Sequence, residues 1–500
     1  MTRHSSLITH HFSTALLVSA LAGCVVAPAQ RPAADAEAQC EAVFQRVDRA
    51  VAEAGVGDGM AARVSGFPYL RANRFLASYA REELTAAQFD QWLERMLTLG
   101  REAHRIEIAN LPAASREALA GALREIGEHA PPRDALEACA ARLAAADRTR
   151  PERRGELRGA VIVPDDYVTW QRIVGLYWIT RLPFASGVRN WHDEVNATFA
   201  LPLDALPVTG RLAAYAPPPG PAKRADVAAL LARVSENPLG IPEPTGADLD
   251  ALFQAFAPRF VVDTRGAADI PGALDWGADG LPRVVSGPPM VYRRVSHARY
   301  EGRALLQLNF AIWFPERPLE PGWDILGGRL DGVLWRVTLA PDGEPWVFDT
   351  IHHCGCYHQF FPTTRAELKP QPDTLDEGAL VPQRLPRLDW NARLTLRLAA
   401  GTHYLERVVL NPPLAGPAAE YVFADDDTLR SVPLNEAERR SVFRPDGIVP
   451  GSERGERWVF WPMGVPEPGA QRQWGRHATA FIGRRHFDDP GLLERYFTLR

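Results

Sequence analysis

The chain is nearly without lysine: Lys223 and Lys369 are the only two among 56 basic residues, so the other 54 are arginine. A GC-rich coding bias accounts for that preference, and arginine choice alone points to no ligand. Excess charge of one sign is missing as well. The 56 basic side chains meet 61 acidic ones for a net charge of −5, which excludes the domain-wide basic surface of a nucleic-acid binder. Long apolar runs are absent beyond the first 24 residues. Ile173 to Ile179 is the longest candidate and meets Arg181, well short of the roughly 18 apolar residues a spanning helix needs. Cysteine is scarce, at five residues, and neither a CxxC pair nor HExxH occurs, which excludes the commonest zinc-finger and zinc-protease patterns. No internal repeat is visible.

What the sequence does contain begins at its start. Arg3, His4, His10 and His11 give a weakly basic opening, Ala15 to Leu21 form a short apolar stretch, and Leu21-Ala22-Gly23-Cys24 follows. This segment resembles bacterial lipoprotein signals. The resemblance implies cleavage before Cys24 and acylation of that residue, so that residues 1–23 are a signal peptide and the mature chain is anchored to a membrane through lipid, not spanning it. Val25, where an Asp would favour inner-membrane retention, points to the outer membrane, with the body facing the periplasm. An oxidising compartment makes cysteine pairing the default expectation. Cys40 shares a helical stripe with Val43, Phe44, Val47 and Val51, and Cys139 shares one with Leu136, Ala140 and Leu143, so a Cys40 to Cys139 disulfide is expected.

Composition and periodicity predict an α+β chain, with a helical N-terminal domain followed by a mainly antiparallel, β-rich C-terminal domain. Residues 24–35 read as a tether, 36–216 as the helical domain, 217–258 as a proline-rich linker with short helices, and 259–500 as the β-rich domain. Thr85 with Gln88 makes a capping box ahead of Phe89, Trp92, Leu93, Met96 and Leu97. Tyr167, Trp170, Ile173, Val174, Tyr177 and Trp178 form an aromatic stripe expected to be core. Pro217-Pro218-Pro219-Gly220-Pro221 is the clearest interruption. Farther on, Val333 to Leu339 and Trp346 to Ile351 flank Pro341-Asp342-Gly343 and predict a hairpin. Asp425 to Asp427 read as a solvated turn, and Arg472, Arg476, Arg484 and Arg485 as partners of the abundant carboxylates.

One window is dense in reactive side chains: Asp349, His352, His353, Cys354, Cys356, Tyr357 and His358. In an extended strand His352, Cys354, Cys356 and His358 would share one face. Four readings follow. A metal site, for which zinc is the fitting cation, would use neighbours among those four and borrow from His403, His477 or His486. A catalytic site would make Cys354 or Cys356 a nucleophile, with His358 or a C-terminal histidine as base and Asp349 orienting it. A Cys354 to Cys356 disulfide around Gly355 would suit redox work. The plainest reading is a strand end whose cysteines pack and whose histidines cap. The functional expectation is an envelope binding or scaffolding protein, with a structural metal and a protein or glycan partner. The alternative is a thiol- or metal-dependent hydrolase centred on Asp349 to His358.

Overall fold

In the computed structural model, residues 33–220, 227–285, 287–372, 374–388, 392–412 and 416–500 are described. Cys24, the expected signal peptide and the start of the expected tether lie outside them. The helical first part forms where apolar residues recur at three and four. Thr85 accepts from the Gln88 backbone while Gln88 returns a bond to Thr85 N, which starts the Ala86–Asn110 helix as its sequence predicts. That helix buries Phe89, Trp92, Leu93 and Met96 against the Ala33–Ala54 and Pro132–Thr149 helices and a hairpin of Ala62–Val64 with Phe67–Ala72. Cys40 and Cys139 stand in this core at disulfide distance, their Cα atoms 5.0 Å apart.

The second part is two packed sheets. The larger runs Gln359–Pro362, Pro345–His352, Gly328–Leu339, Arg303–Arg317, Met290–Tyr300, Val422–Asp425, antiparallel except for its last pair. The smaller runs Leu405–Leu410, Leu394–Leu398, Arg259–Thr264, Arg211–Ala216, Ala419–Glu420 and mixes both directions. Alternation sets the core. Leu306, Leu308, Phe310, Ile312 and Phe314 face the smaller sheet with Val333, Trp335, Val337 and Phe348. Each such side chain contributes roughly 1.5–3 kcal/mol by leaving water. The opposite face carries Trp313, Leu334 and Ile351, covered by Phe443, Val449 and Phe487 from the C-terminal segments, so the sheet is buried on both sides.

Three expectations shift. Residues 211–216, placed by sequence in the helical part, are a strand of the smaller sheet, because Tyr215 packs with Phe260 in the sandwich core. The aromatic stripe breaks at Gly175 and Leu176 into helices Thr169–Val174 and Tyr177–Ala200, and although Tyr167 is buried, Trp170, Ile173, Val174 and Trp178 are exposed. In the acidic turn Asp425 is exposed but the other two acids are paired. Arg294 pairs with Asp426 and Asp427, and buried Arg430 ties Asp427 to Asp58 (2.6 Å) and Glu102 (2.7 Å), locking the helical part onto the sheets.

Candidate functional site

Strand Pro345–His352 returns as Gln359–Pro362, with Thr350 opposite Gln359, so the dense window is the connection of a hairpin. His352 N donates to Cys356 O at 3.0 Å and Gly355 N to His352 O at 2.8 Å, closing a tight turn. Gly355 adopts φ +88°, and a Cβ there would stand 2.5 Å from Ala478 O, so only glycine fits. Tyr357 is left-handed as well. The expected row of His352, Cys354, Cys356 and His358 on one face therefore does not form. A turn sends the four side chains to different places.

His352 enters the end of the sandwich, 3.3 Å from Asp331 Oδ1. His403, from the turn between the Leu394–Leu398 and Leu405–Leu410 strands, holds Asp331 Oδ2 at 2.8 Å through Nδ1 and stands 3.4 Å from Asp269 through Nε2. Arg454 completes the group at 3.2 Å from Asp331. Burial alone would raise the Asp331 carboxyl, but His352 and Arg454 hold it well below the usual range. Burial likewise opposes charge on His403, and the bonds to Asp269 and Asp331 overcome it, raising its pKa above 6.5. This is a buried ion network with a structural role.

His358 goes elsewhere. Its Nε2 bonds Asp349 Oδ2 at 2.9 Å, and Asp349 is gripped by Arg336 at 2.9 and 2.5 Å. Asp349 thus holds the His358 ring in place. Burial outweighs the carboxylate and pushes His358 down to about 4, so the ring is neutral, with Nδ1 buried and unpartnered. Neither thiol reaches it. Cys354 and Cys356 are free, so the expected small-ring disulfide is not formed, and Cys356 N donates to Cys354 Sγ at 3.3 Å. The hydrogen bond with Cys354 and then burial raise the Cys356 thiol well above 9, leaving it protonated at neutral pH.

The remaining expected ligands stay apart. His477 packs edge-on to Trp474 and Phe487 and is held neutral by desolvation, while His486 stands 3.1 Å from Asp165. His353 stacks on Trp313 at 3.8 Å. Among the described residues no three His, Cys, Asp or Glu side chains gather as a metal centre would require, which corrects the metal and zinc expectation for His352, Cys354, Cys356, His358, His403, His477 and His486.

What the turn does border is a cavity of about 520 Å³. Cys354, Cys356, Tyr357 and His358 form one wall. Phe184, Val188 and Trp191 of the Tyr177–Ala200 helix form another, with Phe460, Val465 and Phe481 from the C-terminal segments between them. Trp191 packs on Tyr357 at 5.3 Å, and Tyr357 on Tyr404 at 4.7 Å. Into this apolar space comes Glu456, 3% exposed. Among the described residues no group donates to its carboxylate, and burial lifts its pKa to about 7 against the partial pull of Arg454. A Cβ at Gly469 would overlap Glu456 Oε1, so glycine there makes room for it.

Glu456, His192 and Trp191 are the site residues that local reading misses. Gly455-Glu456-Arg457 looks like a polar surface turn, and the residues that bury it come from distant segments, the Cys354–Tyr357 turn and the Tyr177–Ala200 helix among them. His192 lines the same cavity and is pushed down to about 4 by burial. Arg485 and Glu377 line it too, but each is tied to backbone: Arg485 to Gly378 O and Thr479 O, Glu377 to the amides of Phe481 and Ile482.

Compared with known proteins, the chain matches no family model, and neither a curated protein nor a solved structure is significantly similar to it.

Proposed function

We propose that this chain is an envelope lipoprotein that binds a small, largely apolar ligand in the cavity behind the Cys354–Tyr357 turn. The observation that carries the reading is a buried carboxyl, Glu456, to which no described group donates, in a largely apolar cavity of about 520 Å³ whose other acids are Glu377, bound to backbone amides, and Glu194, which is exposed. Ligand pockets have that composition: apolar walls for affinity and a few polar groups for orientation. Glu456 is protonated below about pH 7 and accepts or donates a single bond, which suits a ligand with one polar end, such as an alcohol, amide or amine on a hydrocarbon body. The lipobox supports an envelope setting, where such molecules are at hand.

The test is a fluorescence titration with 1-N-phenylnaphthylamine, which brightens on entering apolar sites. A Cβ at Gly187, which borders the cavity, meets nothing within 4 Å, so Gly187→Trp adds bulk without moving the backbone. Saturable binding weakened by roughly tenfold or more in that variant supports the reading. Binding that never saturates, or that ignores the substitution, overturns it.

A second reading rests on His358. A neutral imidazole held by Asp349 through Nε2 and left free at Nδ1 is the arrangement of a general base, here beside a cavity that also holds Glu456. Under this reading the protein is a hydrolase whose base is His358 and whose acid is Glu456. Turnover of p-nitrophenyl butyrate lost in His358→Asn supports it; equal turnover in both proteins removes it.

A further inference from the structure

Four of the 13 tryptophans are mostly exposed: Trp170 is 61% exposed, Trp178 68%, Trp458 72% and Trp323 90%. Tryptophan is costly to leave exposed, and a group of exposed aromatics marks a surface that is normally covered. These four are not scattered over the molecule. Trp170 and Trp178 lie on the Thr169–Val174 and Tyr177–Ala200 helices, which pack together and against the 461–463 turn. Trp458 is on the short Arg457–Phe460 helix that leads into that turn, and Phe460 meets Phe184 at 5.1 Å. Trp323 sits in the loop whose Ile325 O accepts from Glu456 N. Ile173 and Leu182 are exposed beside them.

We infer that this aromatic face docks on a lipid bilayer, a second membrane contact besides the acyl chain expected on Cys24. Two observations choose the bilayer over a second protein. The aromatic residue is predominantly tryptophan, whose amphipathic ring prefers the headgroup boundary. Cations stand among these rings: Arg181 and Arg189 lie on the Tyr177–Ala200 helix, which carries no carboxylate before Asp193, and Arg457 stacks over Trp458 at 4.8 Å. Cations among apolar residues are the composition that holds a helix in the plane of an anionic membrane. No described helix is long and apolar enough to cross one, so the segment lies on the surface.

The Tyr177–Ala200 helix also walls the cavity through Phe184 and Trp191, so docking would set the cavity beside lipid. The inference rests on the envelope reading but not on ligand binding.

The experiment uses the acylated chain in phosphatidylethanolamine/phosphatidylglycerol vesicles, compared with vesicles whose lipids carry bromine midway along the acyl chain. Bromine quenches only indoles that enter the bilayer. The expected loss is up to roughly three-tenths of total emission, the share of four tryptophans among 13. It should vanish in a Trp170→Ser, Trp178→Ser, Trp323→Ser, Trp458→Ser variant, while naphthylamine binding in the cavity stays as in the parent, since none of the four lines it. Equal emission in both vesicle types overturns the inference, as does quenching that survives the fourfold substitution. A face covered by a second copy gives no quenching and a cross-linked dimer, which also overturns it. Flotation of the chain with the vesicles reports on the Cys24 anchor separately.

Discussion

Replacing Glu456 by Gln should make the protein more stable, and only at the pH where the carboxyl would be charged. In the folded chain this carboxyl keeps its proton to about pH 7 in place of the usual 4.5, because burial in the cavity wall penalises the anion more than Arg454 relieves it. The folded state thus binds the proton more tightly than the unfolded state does. Stability contributed by the protonated group is complete below pH 4.5, declines as pH rises, and is lost once pH has passed through 7. At about 1.4 kcal/mol per pH unit, the penalty on the ionised native state reaches roughly 3 kcal/mol. Gln carries no such penalty and nearly the same shape. Urea unfolding of both proteins from pH 4 to 8.5 should show near-equal stability at pH 4 and a gap opening between pH 4.5 and 7 to roughly 3 kcal/mol in favour of Gln. A gap independent of pH, or one favouring Glu at pH 8, would refute the placement of an uncompensated carboxyl in that wall.

Other perturbations test the parts that hold the site. Cys40→Ser with Cys139→Ser opens a link 99 residues apart in sequence and should cost about 4 kcal/mol under oxidising conditions; dithiothreitol should cost the parent as much and the variant nothing more. His403→Gln breaks the buried group with Asp331 and Asp269, a loss of roughly 3–5 kcal/mol in urea at pH 6. Because the His403 pKa is raised above the usual 6.5, its contribution is full below that pH and fades as pH rises through the elevated value, so the cost should shrink as pH is raised further. Cys354 and Cys356 should react slowly with Ellman's reagent at pH 7.5 in the native state, and both rapidly in denaturant; fast native labelling would contradict the raised Cys356 thiol.

The α+β class and the Val333–Ile351 hairpin were readable because their signals are local: a capping box at Thr85 and Gln88, period-two runs around Asp342-Gly343, and two helical stripes that bring Cys40 to Cys139. The dense window was readable as important but not as geometry. An even spacing of His352, Cys354, Cys356 and His358 implies a shared face only while the strand continues, and Gly355 ends it. Asp349 and His358 do meet, because the hairpin's two strands place them side by side, whereas His403 reaches Asp331 from a different sheet. Glu456 carried no signal at all. Its character comes from the segments that close over it, which run from the Tyr177–Ala200 helix to the C-terminal residues around Phe481. The tryptophan stripe misled for a related reason: periodic apolar residues show that a face will be covered, not what covers it.

Native mass spectrometry during titration with 1-N-phenylnaphthylamine asks most directly whether the cavity is a binding site, because it counts bound molecules. One naphthylamine per parent chain, and none on Gly187→Trp at the same concentration, is the outcome expected for a ligand held among Trp191, Phe184, Tyr357 and Glu456. Several adducts that grow without limit, or a single adduct that persists in the filled variant, would contradict it.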